Sequence, residues 1–110
     1  MSFPVGKLPP DFLVALLARH PVRDPRVLLG PGTGLDCAVS DLGERLLVCK
    51  SDPITFATDK IGWYAVQVNA NDVATTGAVP RWMLATLLLP ETGTTPALVN
   101  GIFDQVYHAA

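Results

Sequence analysis

The chain has 110 residues, 49% hydrophobic and 16% charged, with a formal net charge of −2. That length supports one domain with a core but not two. The lack of any Lys/Arg stripe argues against nucleic-acid binding, and no apolar run approaches the ~18 residues that span a bilayer.

From Met1 to Pro10 the charged-then-apolar order of a secretory signal is missing, so a cytoplasmic location is expected. Pro10 to His20 reads as a short amphipathic helix with Phe12, Leu13, Leu16 and Leu17 on its packing face, stopped by Pro21. Arg23-Asp-Pro-Arg26 is a turn, Val27-Leu-Leu29 a short apolar run and Gly30-Pro-Gly-Thr-Gly34 a loop. Leu35 to Ser40 and Arg45 to Ser51 read as a β-hairpin around Asp41-Leu-Gly-Glu44. One register across that turn sets Asp36 opposite Lys50 and Cys37 opposite Cys49. The cysteines show no zinc spacing, and reduced core thiols are expected.

An irregular segment, Asp52-Pro-Ile-Thr-Phe-Ala57, leads to a helix from Lys60 to about Thr76, capped by Thr58 or Asp59. Gly77 is its natural stop, and Pro80 prevents its resumption. This helix is apolar all round, which predicts burial on every side. Arg81 to Leu89 reads as a strand with too little polar alternation for one wet face. Thr95 caps a last helix, opened by Pro96, whose packing face is Leu98, Val99, Ile102, Phe103 and Val106. The order is helix, hairpin, helix, strand, helix, an α+β domain. A sheet so thin, in so apolar a chain, predicts pairing with a second copy or membership of a longer protein.

Within the central helix stands Asn69-Ala-Asn-Asp-Val-Ala-Thr-Thr-Gly77. A carboxylate and two amides in apolar surroundings need partners, because an unpaired buried carboxylate is very costly. Asp36 follows the glycine loop, Asp52 follows the second hairpin strand, and Asp72 lies in the helix. Three aspartates converging from separate segments would suit a hard divalent cation with phosphate oxygens and waters. The glycine loop fits neither the dinucleotide nor the P-loop pattern and reads as a plain turn. Lys50 reads as a solvated strand-end lysine, His20 and His108 as surface residues, and Trp63 and Trp82 as core or interface residues.

Three segments then occur in order: Gly32-Thr-Gly-Leu-Asp-Cys-Ala-Val39, Lys50-Ser-Asp-Pro-Ile-Thr55, and Asn71-Asp-Val-Ala-Thr-Thr-Gly-Ala-Val-Pro80. Together they resemble the N-terminal domain of the aminoimidazole ribonucleotide (AIR) synthase superfamily. Its members include thiamine-monophosphate kinase, selenophosphate synthetase and a hydrogenase-maturation dehydratase. The wording around Asp52 is most similar to AIR-synthase-related proteins near the hydrogenase-maturation branch. The resemblance implies an ATP-dependent, Mg²⁺-requiring enzyme that activates an amide, carboxamide or phosphate oxygen of a small-molecule substrate. It implies sheets paired into a barrel across a homodimer, with Asp36, Asp52 and Asp72 as metal ligands and Ser51, Asn71 and Asp72 contacting nucleotide. It also implies that residues 1–110 are an N-terminal domain, with a C-terminal domain and a Gly-Asp phosphate loop absent here, and no turnover by this piece alone. Leu35 stands where relatives carry an acid. The alternative it supports is a dimeric assembly module that has lost nucleotide chemistry.

Overall fold

The computed structural model describes residues 2–55 and 59–110. Two compact units divide the chain, Met1–Cys49 and Lys50–Ala110.

The first unit contains α1 (Pro10–Ala18) and a three-stranded antiparallel sheet, β1 (Val27–Leu29), β2 (Ala38–Asp41) and β3 (Leu46–Cys49), in the order β1-β2-β3. Pro10 opens α1, where its missing N–H is no loss. Past the last turn, His20 Nδ1 lies 2.9 Å from the Leu16 carbonyl. The packing face is narrower than expected. Leu13, Leu16 and Leu17 are partly covered, whereas Phe12 is half-exposed and meets Phe3 edge-on at 4.7 Å between ring centres. At the start of β1, Arg26 donates from Nε to Asp24 Oδ1 at 3.0 Å and from Nη2 to Oδ2 at 2.7 Å. These bonds, with a backbone N–H from Arg26, hold the Asp24 carboxyl down at about 2.

The hairpin forms as its alternation predicts, but its register is corrected by one residue. Ala38 pairs with Cys49, Val39 with Val48, Ser40 with Leu47 and Asp41 with Leu46. The reason is a four-residue turn, Leu42 to Arg45. The Asp41 carboxylate accepts from the Gly43 N–H at 2.8 Å, and the Leu42 N–H reaches the Arg45 carbonyl at 2.9 Å. The expected pairing of Cys37 with Cys49, and with it that of Asp36 with Lys50, is therefore out of step. One residue of slip moves a side chain to the other face. Accordingly the two thiols part company, Cys37 buried and Cys49 exposed.

The second unit is built on α2 (Ile61–Thr75) against α3 (Pro96–Ala109). Gly62 and Val66 are its buried residues on α2. Gly77 ends α2 as expected, with φ of 80° and its N–H on the Ala74 carbonyl. An L-residue resists that left-handed backbone; glycine does not. The start of α2 differs from expectation. Its N-cap is Lys60, without a side-chain cap bond, and Thr58 lies outside the described residues. Gln105 of α3 takes over the work: its Oε1 accepts from the Gly62 N–H and its Nε2 donates to the Asp59 carbonyl, both at 2.9 Å.

Thr95 caps α3 as predicted, accepting from the Leu98 N–H at 3.2 Å, with Pro96 in the first turn. Its covered face is Val99, Ile102, Gln105 and Val106, while Phe103 is exposed. The face is turned from the expected one because Gln105 faces the start of α2. Burial of α2 on every side is also corrected, since Trp63 and Tyr64 are half-exposed.

The expected strand Arg81 to Leu89 does not form. A strand is completed by a ladder of hydrogen bonds, and among the described residues none pairs with this run. Trp82 is 86% exposed, Leu84 100% and Leu88 93%. No helix among the described residues is long and apolar enough to cross a membrane.

Candidate functional site

The chemistry of the second unit gathers where the segment following β3 meets the middle of α2. Lys50, Ser51 and Asp52 begin that segment, and Asn69 and Asp72 lie on α2. Three residues apart, Asn69 and Asp72 occupy neighbouring positions on the helix surface. Asn69 ties the segment down. Its Nδ2 donates to the Asp52 carbonyl at 3.2 Å and to the Ala65 carbonyl at 2.8 Å. Both carboxylates then meet one ammonium. Lys50 Nζ stands 2.8 Å from Asp72 Oδ2 and 3.7 Å from Asp52 Oδ2.

The setting is sheltered. The Lys50 side chain is 10% exposed and that of Asp72 25%. This corrects the reading of Lys50 as a solvated strand-end residue. The physical reason is the acid two positions on and a second acid delivered by α2, which together replace water around the ammonium. The cluster carries two negative charges and one positive, so it keeps an excess of negative charge. Asn69 Oδ1 is buried and has no hydrogen-bond partner among the described residues. Leaving a buried acceptor unsatisfied costs about 1–3 kcal/mol. Carboxylate and amide oxygens are the donors that a hard divalent cation takes. The lysine already holds a cation's place between the two acids, so this donor set fits such an ion.

The other predicted residues lie as follows. Ser51 is exposed next to Asp52, and Asn71 is exposed on α2. The amide that binds the site together is thus Asn69. The polar interruption of an apolar helix pointed to this stretch, but three-dimensional contacts were needed to choose between its two amides. Asp36 is exposed at the approach to β2 in the first unit. Among the described residues no three His, Cys, Asp or Glu side chains form a group able to hold a metal. His20 and His108 are exposed, as expected.

An open cleft of about 500 Å³ lies between α2 and α3, lined by Lys60, Trp63, Tyr64, Asp104, Gln105 and His108. None of the predicted site residues borders it. The carboxylate cluster is the stronger candidate, because there charges converge on one point.

The chain is thus a small α+β protein whose α2 carries an acid against a second acid and a lysine. The chain belongs to the AIR synthase related protein family, as its N-terminal domain; the family match covers residues 34–110. It is also similar to the thiamine-monophosphate kinase of Aquifex aeolicus, 40% identical over 37 residues. That match takes in 34% of this chain and 12% of the kinase. No solved structure matches at a significant level.

Proposed function

We propose that this chain is the nucleotide-binding and dimerising domain of an ATP-dependent, Mg²⁺-requiring enzyme. The observation that carries the reading is the convergence of Asp52 and Asp72 on one cationic position, with Asn69 holding the Asp52 backbone. Family membership and the likeness to a kinase support nucleotide use. Asp52 and Asp72 would hold Mg²⁺, while Ser51 and Asn71 would contact the nucleotide. The ion, when bound, supplies positive charge that neutralises phosphate oxygens. The chain's own part is to bring two carboxylates to one position, with Asp72 partly shielded from water, which strengthens its charge interactions. The full-length protein would act on a small-molecule amide, carboxamide or phosphate oxygen, as in the hydrogenase-maturation branch.

A homodimer belongs to the same proposal. Trp82, Leu84 and Leu88 sit at even spacing and are almost fully exposed. In a strand they would share one face, and a partner copy would supply the missing ladder.

Calorimetric titration of the full-length protein with MgATP tests the reading. Saturable binding is expected, lost in Asp72→Ala; unchanged affinity in that variant would sink the assignment. A second reading, an assembly module without nucleotide chemistry, is favoured by Leu35, which is exposed beside Asp36 at a position where the family resemblance implies an acid. A gain of Mg²⁺-dependent ATP binding in Leu35→Asp would mark a weakened site, and no gain would favour the module.

A further inference from the structure

We propose that the cleft between α2 and α3 is a second binding site, shaped for a small planar aromatic acid that carries an amine. The inference is independent of the metal-nucleotide reading, because no residue of the carboxylate cluster borders this cleft.

Each wall contributes a different chemistry. From α2 come Lys60, Trp63 and Tyr64, and from α3 Asp104, Gln105 and His108. A volume of about 500 Å³ suits a small ligand. Trp63 and Tyr64 are half-exposed, with ring centres 5.2 Å apart and planes at 80°. Such a corner offers a flat ring one face to stack on and one edge to meet. Gln105 fixes one wall against the other through its bonds to the Gly62 N–H and the Asp59 carbonyl. On the α3 wall, His108 Nδ1 lies 2.6 Å from the Asp104 carbonyl. A carbonyl only accepts, so Nδ1 carries the proton, and the neutral ring offers Nε2 as an acceptor. Four residues earlier, the Asp104 carboxylate is a second acceptor on the same face of the helix. A primary amine has two N–H groups, one for each. Across the cleft, Lys60 pairs with no acid among the described residues, and its ammonium is open to an anion. The aromatic corner thus sets a flat ring, Lys60 the acidic end, and Asp104 with His108 the amino end.

The probe is para-aminobenzoate, with benzoate and aniline as the halves that lack the amine or the acid. Two-dimensional NMR of the protein, with EDTA present, reads the site. The probe should saturate with a Kd on the order of 1 mM, as its size allows, and should shift the Trp63 Nε1–H and His108 signals. Benzoate and aniline should bind several-fold more weakly, the loss expected for one exposed charged contact. Two exposed side chains assign the ends. Lys60→Gln should weaken para-aminobenzoate and benzoate several-fold and leave aniline unchanged. Asp104→Ala should weaken para-aminobenzoate and aniline but not benzoate. No shift at Trp63 or His108 at the solubility limit of the probe would overturn the proposal on the wild-type protein alone, whether or not the variants fold. Equal binding of all three compounds, or variants that change all three alike, would overturn it too, marking an unselective surface. Shifts that arise only when Mg²⁺ replaces EDTA, and at residues around Asp72, would also overturn it and refer the acid to the carboxylate cluster. Saturable binding in EDTA by a protein that does not bind MgATP would sustain this site, while the nucleotide reading would fail.

Discussion

Replacing Gly62 by alanine puts the packing of α2 on α3 to the test. A Cβ at Gly62 would stand 2.6 Å from the Ile102 carbonyl oxygen, 2.8 Å from Gln105 Cβ and 3.1 Å from the Val106 nitrogen. Two of these are backbone atoms of α3, so no rotamer change relieves the clash and the helices must part by several tenths of an ångström. Such overpacking typically costs about 1–3 kcal/mol. Parting also stretches the Gly62 N–H bond to Gln105 Oε1, now 2.9 Å, whose net worth is about 0.5–1.5 kcal/mol. Against this stands the better helix propensity of alanine, at most about 1 kcal/mol. The balance is a loss of about 2 kcal/mol, which at roughly 4 °C per kcal/mol lowers the melting temperature by roughly 8 °C. Thermal and urea unfolding followed by far-ultraviolet circular dichroism would measure it. Gly101→Ala on α3 is the control. A Cβ there meets nothing within 4 Å, so only the propensity gain remains and the variant should melt slightly higher. A Gly62→Ala protein that melts at or above wild type would refute the close-crossing argument.

Two other outcomes are expected. The Asp24 carboxyl should titrate with a midpoint of about 2, and it should rise toward its ordinary value near 3.8 in Arg26→Gln, which keeps only the backbone N–H, as read by side-chain NMR. Because the folded value lies below the unfolded one, the stabilisation from this pair is complete above about pH 3.8 and drains away as pH falls toward 2; a normal midpoint in wild type would discount the pair. Light scattering should give twice the 11.7 kDa chain mass, and the triple change Trp82→Ser, Leu84→Ser, Leu88→Ser should give a monomer. A monomeric, non-aggregating wild type would count against the dimer.

Asp72 illustrates how far residue patterns reach toward the site. An acid in an apolar helix is conspicuous in one dimension, and the structure provides it with a partner. Lys50 is the opposite case. Nothing within a few residues reveals that its side chain is enclosed, because the carboxylate nearest its ammonium comes from a helix, at a position more than twenty residues away. Asn69 and Asn71 look alike in the sequence and differ only in which one reaches back to the Asp52 carbonyl.

The same division runs through the fold. Both long helices were legible because their signals are local. Thr95 and Pro96 start α3, and Gly77 stops α2, through backbone groups only a few residues away. The hairpin was legible as an element, but its register was not, since an Asp41 side chain closing a four-residue turn moved every pair by one. The cap of α2 comes from Gln105, some forty residues on, and no nearby pattern could supply it. Arg81 to Leu89 has the apolar content of a strand without a partner to complete the ladder. Sequence by itself determined the helices, the start of α3, the stop of α2 and the suspicion around Asp72. Tertiary structure alone decided register, the second cap and the enclosure of Lys50, because each depends on groups that meet only when distant segments are brought together.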